Sequence, residues 1–235
     1  DFPFVNKRDG DFRIAGRVQG VTLAPVPSVP PGGPEPAWDS PWPAFTNVSG
    51  ELVFERNSMQ FSRARGSLAG LALDEVAGRI RELSVDPNVL EVDGAVRGPL
   101  AELLKVVRST PLADASGHVL DNTTASGSGE LKLNLAVPLG RTADAQLKAS
   151  LQLPGNDLKL RPDLPLLANA RGRIEATHKG VQLNALRAQL LGGEVVIDGG
   201  NLADDGLRFT VSGSASADAL RRATELGPGV ARLAQ

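Results

Sequence analysis

The residues best suited to chemistry in this sequence are its two histidines and the acids near one of them. His118 lies between Asp114 and Asp121, a spacing that could serve a metal ion or an acid–base pair. The same arrangement is typical of a solvated loop histidine beside acids, and we favour that interpretation. His178 falls in the turn at residues 177–180 and is interpreted as a hairpin residue.

The other acidic pairs and glycine motifs do not form a recognisable catalytic site. Asp74 and Glu75 are neighbours in a strand pattern, so their side chains point to opposite faces and cannot share a proton. Asp204 and Asp205 are interpreted as a hairpin loop. The glycines at 127 and 129 precede a strand rather than a helix, and Walker, zinc-protease and nucleophile-elbow motifs are absent. We predict a protein that is not an enzyme, with no catalytic residue, metal site or cofactor.

Composition restricts the possible functions further. The chain has 235 residues, of which 41% are hydrophobic and 22% charged, as expected for a folded protein. A formal net charge of −2 argues against nucleic acid as a partner. The absence of cysteine excludes disulfides and thiolate sites. No apolar run is long enough for a membrane-spanning helix, and the start of the chain resembles no targeting peptide, so we expect a fragment of a longer protein.

Period-2 alternation dominates the sequence. Apolar residues alternate with polar ones in short segments that recur about every ten residues, with glycine or asparagine turns between them. The alternating residues are Phe12, Ile14 and Val18; Leu52 and Phe54; Met59 and Phe61; Leu71 and Leu73; Leu90 and Val92; Leu131, Leu133 and Leu135; Leu147, Leu151 and Leu153; Val181 and Leu183; Val195 and Ile197; and Leu207, Phe209 and Val211. This pattern predicts a mainly β fold, an antiparallel meander with one apolar face.

Two segments instead have the spacing of short amphipathic helices. The first is predicted over 99–109, with Pro99 at its start and Pro111 beyond its end. The second is predicted over 217–226, with Ser216 as the N-cap and Gly227 as the stop.

The two helices close two similar units, which predicts an internal duplication. Six positions of the first unit match the second at an offset of 122: Val48, Gly50, Leu52, Met59, Phe61 and Gly70 match Ala170, Gly172, Ile174, Val181, Leu183 and Gly192. Val92 and Gly94 match Val211 and Gly213 at an offset of 119, and Asp11, Ile14 and Val18 match Asp144, Leu147 and Leu151 at an offset of 133. A coincidence of generic β-sequence is the alternative. We expect a first repeat over residues 1–111, a linker over 112–129 and a second repeat over 130–235.

The first unit carries a proline-rich insertion at residues 24–43. This stretch contains eight of the 17 prolines and both tryptophans, so it cannot be a central strand. We interpret it as an extended loop held to the protein by Trp38 and Trp42. The alternative is a flap or a partner-binding segment of polyproline character.

The strand pattern apolar-x-Gly-x-apolar, followed by a short helix, resembles the AsmA-like repeat of bacterial envelope proteins. The resemblance is greatest at residues 45–52 and 190–200, and it covers nearly the whole chain. The segment at residues 151–156 and the openings at Pro3 and Pro138 resemble the YhdP branch of that family. Membership would imply a periplasmic β-groove in an inner-membrane-anchored protein that conducts phospholipid between the inner and outer membranes. The implied partners are acyl chains, neighbouring repeats of the same longer chain, and the inner membrane through an anchor that is absent here.

An amphipathic meander with few helices to cover it can form either a curled groove or half-open barrel, or a closed sandwich. A groove would suit lipid carriage, whereas a closed core would suit a structural scaffold domain of the cell envelope with no ligand. A hydrolase or glycan-binding enzyme is a third hypothesis, which the lack of a catalytic motif disfavours. The candidate groove-lining residues are Phe12, Ile14, Leu52, Phe54, Phe61, Leu73, Val92, Leu133, Leu151, Val181, Leu183, Val195, Ile197 and Phe209.

Overall fold

A computed structural model describes residues 12–34, 36–116, 118–139, 141, 144–177, 179–201 and 206–223. Several positions used in the sequence analysis therefore lie outside the described residues. They are Pro3, Asp11, His178, Asp204, Asp205 and the end of the second predicted helix beyond residue 223.

The described chain is mostly β-strand, with three short helices. In chain order the elements are β1 (Arg13–Leu23), β2 (Phe45–Glu55), β3 (Ser58–Leu68), β4 (Leu71–Ile80), β5 (Val89–Pro99), α1 (Leu100–Arg108), α2 (Leu112–Ala115), β6 (Thr124–Ala125), β7 (Ser128–Pro138), β8 (Gln146–Lys159), β9 (Leu167–Thr177), β10 (Gly180–Leu190), β11 (Gly193–Asn201), β12 (Leu207–Gly213) and α3 (Ala217–Arg222).

The strands form one antiparallel sheet that follows the chain order. Its order is β1-β2-β3-β4-β5-β7-β8-β9-β10-β11-β12, and the short β6 pairs separately with β8. The described sheet ends at β1 on one side and β12 on the other, so it is open and not closed on itself. The predicted mainly β, open antiparallel meander is confirmed. The alternative of two sheets packed as a closed sandwich is wrong for the described part of the chain.

The chain divides into two compact units, each made of two separate stretches of the sequence. Unit 1 comprises Asp1–Arg97 and Lys132–Ala149, and unit 2 comprises Gly98–Leu131 and Ser150–Gln235. The segment predicted as a linker contains α2 and β6. The predicted repeat boundaries concern sequence similarity rather than compactness, so they stay a prediction.

Strand bounds and pairing recur in the two halves of the sheet. β9 and β10 begin and end 122 positions after β2 and β3. Leu52 pairs with Phe61, and at the same separation Ile174 pairs with Leu183. Left-handed backbone also recurs at this separation, at three pairs of non-glycine residues: Asn47 and Asn169, Arg63 and Ala185, and Ala69 and Leu191. The hairpin of β2 and β3 therefore has the same register and the same irregularities as that of β9 and β10.

The last strands of the two halves correspond differently from the prediction. Val92 pairs with Gly78, and Phe209 pairs with the equivalent Gly199. Val92 thus corresponds to Phe209, at an offset of 117, and the predicted match to Val211 at 119 is wrong by two positions. Apolar residues recur every second position along a strand, so a pattern match is equally good after a shift of two.

One residue in β4 has no counterpart in β11. Glu75 has a φ of 51° and lies at a register shift in both of its ladders. At the corresponding place, β11 runs in regular register against β10 and β12. Glu75 is therefore a one-residue β-bulge, and the side chains on either side of it keep their faces.

Both predicted helices are present. α1 begins after Pro99, has Glu102 in its first turn and has Lys105 and Arg108 in its last turn, as the helix dipole favours. α3 begins after Ser216, whose Oγ accepts a 3.0 Å hydrogen bond from the backbone N–H of Ala219. The predicted N-cap is confirmed.

Candidate functional site

The sheet of unit 1 concentrates its large apolar side chains on one face along β1 to β5, although Val53 pairs with residues of the other face. Residues paired across an antiparallel ladder share a face, so the registers define both faces. The large side chains of one face are all apolar, and this set is called the unit 1 apolar face: Ile14, Val18, Val21, Leu23, Phe45, Val48, Leu52, Phe54, Met59, Phe61, Leu68, Leu71, Leu73, Val76, Ile80, Leu90, Val92 and Val96.

The opposite face of unit 1 is charged and solvated. Each of three carboxylates contacts two arginine side chains: Glu51 contacts Arg17 and Arg63, Asp74 contacts Arg65 and Arg97, and Glu91 contacts Arg79 and Arg81. Hydrogen bonds from Arg81 and Arg79 lower the pKa of Glu91 to about 2. Exposed pairs of this kind add little stability, and their presence identifies this face as the one in contact with water.

Glycines of these strands lie mostly on the apolar face. They are Gly16, Gly50, Gly66, Gly78 and Gly94 in unit 1 and Gly129, Gly172, Gly193, Gly199 and Gly213 in unit 2. At Gly78 a Cβ atom would lie 2.5 Å from the ring of Phe61, so a side chain cannot be accommodated there. Missing side chains on one face let strands bend towards that face. In each unit this distribution favours curvature with the apolar side inward.

The edge strands leave apolar side chains open to solvent. On β1, Ile14 is 53% exposed and Leu23 is 52% exposed, although both lie on the unit 1 apolar face. On β12 of unit 2, Phe209 is 44% exposed, and Leu207 and Val211 are exposed as well. Clustered exposed apolar groups are typical of surfaces that bind a ligand, a membrane or another protein.

Unit 2 contrasts with these edges because part of its apolar face is a closed core. The buried cluster comprises Leu100, Leu153, Leu158, Leu167, Ala170, Leu186, Ala188, Val195 and Ile197. Leu100 is the first residue of α1, so the start of this helix packs against this part of the sheet. Backbone hydrogen bonding fixes the start of that helix, because the N–H of Leu100 donates to the carbonyl of Gly127 at 2.9 Å.

A buried amide holds the turn that receives α1. Asn156 Nδ2 donates to the carbonyls of Ser126 (2.8 Å) and Ser128 (3.1 Å), on either side of Gly127. Arg108, in the last turn of α1, donates to the carbonyls of Leu120 and Thr123. Both ends of the helix are thus held by backbone carbonyls of the segment at residues 120–127, which leads into β7.

The structure places the predicted groove-lining residues on one face in each unit. In unit 1 these are Ile14, Leu52, Phe54, Phe61, Leu73 and Val92, and Phe12 directly precedes β1. Leu133 belongs with them, because its neighbour Asn134 donates to Asp93 on the polar face. In unit 2, Val181, Leu183, Val195, Ile197 and Phe209 share a face by register, and Leu151 packs against the same core. Val195 and Ile197 are buried there, whereas Phe209 is exposed.

Strict alternation misses the residues that follow a bulge. Val181 and Leu183 lie on the apolar face of β10, but after the bulge at Ala185 the inward positions are Leu186 and Ala188. The change from odd to even apolar positions was a visible signal of that bulge. The partner of α1 had no such signal, because an amphipathic helix does not indicate which surface covers it.

His118 forms a local ion-pair cluster. Its Nδ1 lies 3.0 Å from Asp121 Oδ2 and its Nε2 lies 3.0 Å from Asp114 Oδ1. The carboxylates engage opposite ring nitrogens and do not converge on one point where a metal could sit. Hydrogen bonds to Asp121 and then to Asp114 raise the pKa of His118 above its ordinary value. The arrangement fits the interpretation of a solvated loop histidine beside acids.

We expect His118 to titrate above 6.5, its ordinary pKa. Because the pKa of His118 is raised in the folded state, its pairs with Asp121 and Asp114 add to the free energy of unfolding. This contribution is fully present below the pKa of the unfolded chain, and it is lost as the pH rises through the pKa of the folded chain. NMR of the imidazole protons through a pH series measures this midpoint. Asp121→Asn should lower it, and a wild-type midpoint at or below 6.5 would contradict the observed pairing.

Within the described ranges, no helix is both long and apolar enough to cross a membrane.

Comparison with known proteins gives two matches. A family model described as YhdP protein matches residues 1–232. The intermembrane phospholipid transporter YhdP of Escherichia coli (strain K12) is 26% identical over 153 residues, which is 65% of this chain and 12% of that protein. The chain therefore spans only a small part of the relative's length. No solved structure matches.

Proposed function

Because this chain belongs to the YhdP family, we propose that its apolar sheet faces shield phospholipid acyl chains that pass between the inner and outer membranes. The name of the similar Escherichia coli protein, an intermembrane phospholipid transporter, supports the substrate class. On this proposal the chain is a periplasmic segment of a longer protein anchored in the inner membrane, and neighbouring repeats continue its sheet beyond β1 and β12.

The observation that carries the proposal is the unit 1 apolar face with its exposed edge. A surface of large apolar side chains that ends in a half-exposed Ile14 and Leu23 needs an apolar partner. Acyl chains are such a partner, and each methylene transferred from water contributes about 0.8 kcal/mol. Shielding of this kind requires neither a catalytic residue nor a cofactor.

The proposed lipid contacts in unit 1 are Phe12, Ile14, Leu52, Phe54, Phe61, Leu73, Val92 and Leu133. In unit 2 they are Leu151, Val181, Leu183 and Phe209. Val195 and Ile197 are buried, so on this proposal they support the lipid-contacting residues rather than touch the lipid. The charged opposite face stays in water.

A scaffold role is the second candidate, and the buried cluster of unit 2 favours it for that part of the chain. There the apolar side chains already have protein partners, such as Leu100 against the cluster around Leu153. A scaffold function for the whole chain would not explain why apolar side chains are exposed at the edge of unit 1.

The deciding experiment is mass spectrometry of lipids extracted from the 235-residue chain purified without detergent. We expect phospholipid to copurify above the level found with an unrelated protein carried through the same purification. Lipid no higher than in that control would contradict the proposal and favour the scaffold.

A further inference from the structure

The proline-rich segment at residues 24–44 begins and ends at the unit 1 apolar face. It leaves β1 after Leu23 and enters β2 at Phe45, and these two residues are a register pair on that face. Any group presented at the base of this segment is therefore next to the exposed apolar end of β1.

The segment is ordered by its own hydrogen bonds. Val29 and Trp38 exchange two backbone hydrogen bonds of 2.8 and 2.9 Å. The backbone N–H of Ser40 donates to Ser28 Oγ at 2.9 Å, and that of Trp42 donates to Ser40 Oγ at 3.2 Å. Its prolines further limit backbone freedom. A side chain held on such a loop loses little conformational entropy when it binds a ligand.

The two tryptophans have different surroundings. Trp42 is partly buried, whereas Trp38 is 46% exposed, and Val26 in the same segment is also exposed. Val21 and Leu23, at the end of β1 from which the segment leaves, are exposed as well.

The charge of the segment indicates which partner suits it. Its charged residues are Glu35 and Asp39, with no lysine or arginine, so it is unsuited to an anionic polymer. An exposed indole combines an apolar ring with one N–H donor, the combination that favours the boundary between lipid headgroups and acyl chains.

We propose that Trp38 contacts phospholipid at the boundary between headgroup and acyl chain, at the β1 end of the unit 1 apolar face. This inference rests on the proposed function, because it needs acyl chains to lie on that face. Val21 and Leu23 contact the chains, and the indole ring lies beside the glycerol region, where its N–H finds an acceptor.

Fluorescence can isolate Trp38, because the chain has two tryptophans and no tyrosine. In the Trp42→Phe variant the emission comes from Trp38 alone. Loading this variant with phosphatidylethanolamine brominated near the carboxyl end of its acyl chains should shift the emission to shorter wavelength and remove most of it. The reciprocal Trp38→Phe variant, in which Trp42 emits, is the matched control and should be far less quenched.

Bound lipid is measured in the same samples by mass spectrometry, which separates the two proposals. Unquenched Trp38 in a chain that carries the brominated lipid would overturn the inference and would favour a protein ligand for the loop. The proposed function would be unaffected by that result. A chain that binds no lipid at all would overturn both.

Discussion

Replacing Leu153 with Asp should unfold unit 2. Leu153 is 1% exposed and belongs to the buried cluster that also contains Leu100 of α1. An unpaired carboxylate at this position costs several kcal/mol, which is comparable to the total stability of about 5–15 kcal/mol of a typical domain. Thermal unfolding followed by circular dichroism, together with limited proteolysis, measures the loss.

The neighbouring residue supplies the matched control. Gln152 lies on the same strand with its side chain exposed on the opposite face, so Gln152→Asp adds the same charge and should leave the melting curve nearly unchanged. Leu153→Ala should cost about 2–5 kcal/mol through the cavity that it leaves. Native melting of Leu153→Asp would show that the cluster is open to water.

The opposite result is expected on the exposed edge of unit 1. The double variant Ile14→Asp with Leu23→Asp should fold, because water already reaches both side chains. It should lose lipid, because two apolar contacts are replaced by charges in the proposed acyl path. Full burial of such a side chain contributes about 1.5–3 kcal/mol, and about 1.4 kcal/mol is a factor of ten. We therefore expect at least about a tenfold loss of bound phospholipid, measured by mass spectrometry of the purified chain.

A control of equal charge exists on the same strand. Ala15→Asp with Thr22→Asp adds two carboxylates on the polar face of β1, and both positions are exposed. This variant should keep both its fold and its lipid. If the apolar-face variant retained its lipid, β1 would not lie on the acyl path. If it unfolded, this face would be a packing surface.

The strands were predictable because alternation is a local property of the sequence, and α1 was predictable from its spacing and its flanking prolines. Register was less predictable. The match of Val92 to Val211 failed because two-residue shifts preserve the pattern, and pairing partners decide between them. The inward positions of β10 changed at Ala185 because a bulge needs only one residue in left-handed conformation, which alanine adopts here without a glycine signal.

The apolar face was equally visible in the sequence, but its accessibility was not. Val195 and Phe209 have the same alternating pattern, yet the first is buried and the second is exposed. The difference arises from position in the sheet and from the start of α1, which is distant in sequence from β11 but contributes Leu100 to the same buried cluster as Val195. Such coverage depends on tertiary contacts that periodicity does not encode.

The bulge at Glu75 has a consequence for how such a chain tolerates insertions and deletions over evolution. In a regular strand, gaining one residue turns every later side chain to the other face, which would place arginines among the apolar groups. At Glu75 the added residue is looped out instead, so Asp74 stays with the arginines and Val76 with the leucines. Repeats with bulged strands can therefore gain or lose single residues over evolution and still keep one polar face and one apolar face.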